Sequence, residues 1–107
     1  MKLIDKHIDK IKKLCMAHNV AELYVFGSVL SERFNAESDV DFLVRFSDVA
    51  PLEYFDNYMD LKERLEKELE RRVDLVEIQT IKNPILKRSI EREKKKVYGR
   101  KDTKVAI

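Results

Sequence analysis

Three short apolar runs, around Leu23–Phe26, Val40–Phe46 and Val73–Ile78, are separated by longer stretches whose apolar residues recur at helical spacing. That alternation restricts the chain to a small sheet packed against helices. Within the second run Val40, Phe42, Val44 and Phe46 fall on one face of a strand and Asp41, Leu43 and Arg45 on the other. Ile4, Ile8, Ile11, Cys15 and His18 predict an amphipathic helix over 2–18. Pro51 suits the first turn of a second helix, continued by Leu52, Phe55, Leu65 and Leu69 to about 71. Asn83-Pro84 reads as the cap and first turn of a third, running over 84–97 through Leu86, Ile90 and Val97, with Gly99 as its stop. The expected fold is α/β (α+β), a small mixed sheet with strands near 22–27, 39–46 and 73–78. One domain over 1–99 and a loose tail over 100–107 are expected.

Glycine and acid mark the ends of these runs. Gly27 and Ser28 follow the first run, where backbone must turn sharply or approach a ligand closely. A helical turn over 29–33 would leave free backbone N–H groups facing a docked anion such as a phosphate. A tight strand-to-helix turn with no ligand is the plain alternative. After ten intervening residues, Asp39 and Asp41 stand on one face of the second strand. Side-by-side carboxylates repel unless a cation lies between them, and hard oxygen donors suit a magnesium ion that also binds substrate phosphates. The alternative is a solvated strand end. Asp74 is an acid within an apolar run and calls for a cation, either a metal or Arg71 or Arg72.

With Gly27-Ser28, a ten-residue spacer, Asp39-Val40-Asp41 and Asp74 on a later strand, the chain resembles the DNA polymerase β-like nucleotidyltransferase superfamily. In size and layout it is similar to the minimal nucleotidyltransferases (MNT), the antitoxin partners of HEPN-domain toxins. The resemblance spans about 23–99. It implies a metal-dependent nucleotidyltransferase that moves a nucleoside monophosphate, AMP from ATP or the equivalent of another NTP, to a hydroxyl, a tyrosine of a HEPN toxin. It further implies Asp39, Asp41 and Asp74 as catalytic metal ligands for two Mg2+ (or Mn2+) ions, with Gly27 and Ser28 on the β,γ-phosphates. Many minimal nucleotidyltransferases carry arginine just after the Gly-Ser pair and a small residue soon afterwards, whereas this chain has Val29, Ser31 and Glu32. Arg33, or Lys87 and Arg88 of the last helix, could supply the missing positive charge as nucleotide-binding residues. A catalytically inactive module that neutralises its partner by complex formation is one competing class, and a nucleic-acid binder working through the basic last helix is another.

Composition closes off other classes. A net charge of +2 in 107 residues is too small for bulk binding to nucleic acid or a membrane surface, so any basic site must be local, the stretch from Lys87 to Lys96 being the most basic. Cys15 is the one cysteine, so no internal disulfide forms. Lysine and aspartate interrupt the amino-terminal apolar residues, leaving no signal or spanning segment. A cytoplasmic location is expected. His7 and His18 lie far apart in sequence without a third ligand and are not expected to bind metal.

Overall fold

The computed structural model describes residues 2–31, 34–35 and 37–99. In order these form α1 (Lys2–Lys6), α2 (Ile8–Ala17), β1 (Val20–Phe26), a 3-10 turn at Gly27–Leu30, β2 (Val40–Phe46), α3 (Pro51–Leu69), β3 (Val73–Glu77), a second 3-10 turn at Ile78–Thr80, α4 (Pro84–Glu93) and β4 (Lys95–Gly99). The strands make one sheet ordered β3-β2-β1-β4. β1 runs antiparallel to β2 and β4, while β2 and β3 are parallel. A parallel pair needs a crossover, and α3 is that crossover.

One face of the sheet carries the core. Leu23 and Val25 of β1, Val40, Phe42 and Val44 of β2, Val73 and Leu75 of β3 and Val97 of β4 pack with Ile11 and Cys15 of α2 and Leu61, Leu65 and Leu69 of α3. His18 closes the end of this layer, buried, with Nε2 2.7 Å from the Asp60 carboxylate and Nδ1 2.7 Å from the Leu14 carbonyl. The Asn57 amide donates to the His18 carbonyl at 2.9 Å, tying α2 to α3. The other face is less covered. Leu43 and Ile90 are buried outside the main cluster, and this face presents Asp41.

The expected first helix is broken at His7, whose φ of −110° ends α1 before α2 begins. Its Nδ1 reaches Glu68 Oε2 of α3 at 2.6 Å, so the break turns one side chain across the helix pair. The second helix stops at Leu69, where Glu70 takes a left-handed φ of 56° and its N–H donates to the Glu66 carbonyl. The larger correction concerns the last segment. α4 ends at Glu93, Lys94 is already extended at ψ 148°, and Lys95–Gly99 forms a fourth strand on the free edge of β1. Three consecutive lysines repel in a helix, whereas a strand sends neighbours to opposite faces and buries Val97 at 7% exposure. Gly99 therefore ends a strand rather than a helix.

Candidate active site

The glycine turn and the first acid meet at the sheet. Phe26, the last residue of β1, pairs with Asp41 of β2, and Asp41 pairs with Asp74 of β3. Gly27, next in the chain, has φ +78°, a conformation that side chains other than glycine's rarely adopt. A Cβ added there would overlap the Asp41 Oδ2 oxygen. The turn is thus pressed against the carboxylate. Asp39 stands two residues earlier, just before the strand, and is exposed, as is Asp74; Asp41 is half-buried.

Burial raises the Asp41 carboxyl above its ordinary range, and the charges of Asp74 and then Asp39 raise it further. Like charges brought together in this way favour a proton or a cation. Among the described residues no three His, Cys, Asp or Glu side chains converge on one point as they stand. Magnesium does not require that convergence, since it binds through one or two carboxylates and keeps waters or substrate phosphates in its other positions. The donor set of Asp39, Asp41 and Asp74, all hard oxygens on an accessible sheet face, fits such an ion.

Two side chains brace the strand ends. Tyr58 of α3 donates its hydroxyl to the Leu75 carbonyl of β3, one residue beyond Asp74, and the charge of Asp74 helps to raise its phenol above the usual value after burial. Arg71 is turned to a loop rather than to Asp74. Its Nη1 donates to the carbonyls of Asn35 at 3.0 Å and Ser38 at 3.1 Å, in the loop that leads into β2. Among the described residues neither Arg71 nor Arg72 forms an ion pair with Asp74, so the arginine alternative for Asp74 is not what the fold adopts.

The profile described as Polymerase beta, Nucleotidyltransferase matches residues 9–103. The chain belongs to the polymerase beta nucleotidyltransferase family. A candidate protein adenylyltransferase of Methanocaldococcus jannaschii is 34% identical over 96 residues, 82% of this chain and 95% of that protein. The protein adenylyltransferase MntA of Thermococcus cleftensis is 35% identical over 88 residues, 75% of this chain and 86% of that protein. A solved structure described as a candidate minimal nucleotidyltransferase superposes with a TM-score of 0.71 at 30% identity, covering 87% of this chain and 91% of the other. A toxin–antitoxin complex solved with AMP-PNP has a TM-score of 0.67 at 24% identity, covering 87% of this chain and 73% of the other, and shows the same fold.

In this nucleotidyltransferase the expected residues are only partly assembled. Gly27, Asp41 and Asp74 are brought together by strand register, with Asp39 just before the strand that carries Asp41. Ser28 lies in the 3-10 turn, but its side chain, like Arg33 and Glu32, lies outside the described residues. Lys87 and Arg88 are exposed on α4. A cation of the basic last stretch that was not among the expected nucleotide-binding residues sits on the carboxylate face. Lys94 Nζ lies 4.1 Å from the Tyr24 ring centroid, bonded to Glu91 Oε1 at 2.8 Å, and Tyr24 pairs with Leu43, two residues along β2 from Asp41. Its position depends on the unexpected strand β4, so a reading that continued the helix could not find it.

Proposed function

We propose that this nucleotidyltransferase is a protein adenylyltransferase that moves AMP from ATP to a hydroxyl of a protein partner, a tyrosine of a HEPN-domain toxin, and so acts as an antitoxin. The observation that carries this is the Gly27 turn set against Asp41, whose strand pairs it with a second carboxylate, Asp74. Two relatives at 34% and 35% identity bearing the adenylyltransferase name support the choice of AMP and of a protein acceptor. A solved complex of an MNT antitoxin with a tri-AMPylated HEPN toxin shares the fold, at a TM-score of 0.62.

Asp39 and Asp41, with Asp74, would hold two magnesium ions. When bound, these supply charge neutralisation for the triphosphate and acidify the acceptor hydroxyl. The chain's own residues do the rest. The N–H groups of the Gly27–Leu30 turn, aided by the Ser28 hydroxyl, receive the β,γ-phosphates. Asp74, on the exposed edge strand, accepts the proton of the incoming hydroxyl, whose oxygen forms the new bond to the α-phosphorus as pyrophosphate leaves. The described residues contain no helix long and apolar enough to cross a membrane, and the reading places this single domain in the cytoplasm, where its ATP is found.

The test is transfer of label from ATP labelled at the α-phosphate, with magnesium, to the protein encoded beside this one. Label on that partner, absent with Asp39→Asn/Asp41→Asn, is the expected result. A tight complex without label, in which the Asn variant neutralises the partner equally well, overturns the reading and favours the inactive binding module.

A further inference from the structure

We infer that Arg71 is a positioning residue for Asp39. Its guanidinium fixes the loop that delivers that carboxylate to the metal, and so sets the affinity of the site for a divalent cation. The inference rests on the proposed role of Asp39 as a metal ligand. Asp39 is the exposed residue just before β2, outside the ladder that fixes Asp41 opposite Asp74. Something other than sheet register must place it.

The loop before it is a compact turn. The Glu37 N–H donates to Asn35 Oδ1 at 2.8 Å, the Asn35 N–H to Ser38 Oγ at 3.1 Å, and the Ser38 N–H to the Asn35 carbonyl at 3.1 Å. These bonds close the turn on itself but do not anchor it to the sheet. Arg71 supplies an anchor. The two protons of Nη1 take the carbonyls of Asn35 and Ser38, and the guanidinium carbon lies 4.7 Å from the Phe34 ring centroid. The Ser38 carbonyl belongs to the peptide that joins Ser38 to Asp39, so holding it holds the start of Asp39. At the next step the Val40 N–H donates to the Arg72 carbonyl at 3.0 Å. Arg71-Arg72 therefore grips the chain on both sides of Asp39, through a side chain before it and a main chain after it.

The chemistry favours arginine over lysine here. A planar, delocalised cation can stack on Phe34 while its donors point at carbonyls in one plane, and a lysine ammonium on a flexible stem cannot do both. Groups that orient metal ligands from behind are commonly worth about 10-fold to 100-fold in metal affinity. The effect on folding should be smaller, because Arg71 lies at the edge of the core cluster rather than within it.

The experiment measures Mn2+ binding to the purified chain by electron paramagnetic resonance or calorimetry, with melting temperature and amide exchange at Ser38 and Val40. The proteins are the parent, Arg71→Lys, Arg71→Ala and Asp39→Asn. Arg71→Lys should fold, exchange those amides faster and bind Mn2+ about 10-fold more weakly. Its transfer rate should recover at saturating Mn2+, which a merely structural role would not produce. If Arg71→Ala does not fold, Arg71→Lys carries the test alone. Arg71→Lys binding Mn2+ within twofold of the parent, while Asp39→Asn has lost it, overturns the inference and leaves the metal reading standing. Asp39→Asn binding Mn2+ as the parent does removes the metal role of Asp39, and the inference with it.

Discussion

Gly27 and Asp41 share one small volume: the glycine has no side chain where the aspartate places its Oδ2 oxygen. The turn and the carboxylate are therefore fitted to each other. Gly27→Ala should strain the left-handed backbone by about 1–2 kcal/mol and push the carboxylate aside. Thermal melts should show the modest loss of stability, and the α-phosphate label assay at least a 10-fold loss of transfer. Equal losses in a stability-matched core variant would mean the glycine serves only the fold.

Cys15 lies in the apolar layer between α2 and the sheet, fully buried, and burial pushes its thiol up to about 12. Thiolate is the reactive form, so the native protein at pH 8 should resist iodoacetamide, while the same protein in denaturant reacts at the rate of a free thiol. Modification of the native protein at the denatured rate, followed by mass spectrometry, would contradict the packing of α2 described here.

How far the sequence could be read depends on the kind of signal each residue carries. Gly27, Asp41 and Asp74 were legible because a glycine after a strand and acids within apolar runs oppose local preference, and such conflicts mark sites. The first three strands were legible because apolar runs bounded by turns leave few other choices. β4 was not. Val97 falls two helical turns after Ile90, on the stripe of Leu86 and Ile90, and only the free edge of β1, a tertiary fact, decides for strand. Arg71 was legible as a cation near Asp74, but its actual partners are two loop carbonyls, which no side-chain pattern announces.

β4 covers the edge of β1, and Val97 is its single buried anchor. Val97→Asp would leave a carboxylate facing the core without a partner and should cost about 3 kcal/mol or more. Loss of β4 would also expose the ladder groups of β1, a template for edge-to-edge association. A lowered melting temperature with concentration-dependent light scattering is expected. Unchanged melting would mean that β4 does not pair as described.

Glu66 links α3 to the start of β3. Its Oε2 accepts the Val73 N–H at 3.0 Å and the Lys62 ammonium at 3.2 Å, and the Val73 bond first, then Lys62, hold its carboxyl below the usual range. A depressed folded value contributes stability that is present above the unfolded carboxyl's pKa, about 4.3, and is lost as pH falls through the lower folded value. Urea midpoints of the parent should therefore fall below pH 4.3, and those of Glu66→Gln, which cannot ionise, should fall less over the same interval. Parallel acid limbs would show that Glu66 is not a contributor.

Asp74 is paired with Asp41 in register yet exposed at the outer strand, where an acceptor can approach from outside the sheet. Asp39 and Asp41 at the inner strand are then left to the nucleotide. If that division holds, Asp74→Asn should keep ATP binding within a few-fold of the parent and lose about 10²–10⁴-fold in kcat, the usual contribution of a positioned proton acceptor. Without its base, the variant depends on the acceptor's own ionisation. Its rate should climb roughly tenfold per pH unit towards the phenol value of about 10, while the parent's rate flattens earlier. A variant that loses ATP binding together with turnover, and shows no such slope, would place Asp74 among the nucleotide's metal ligands instead of beside the acceptor.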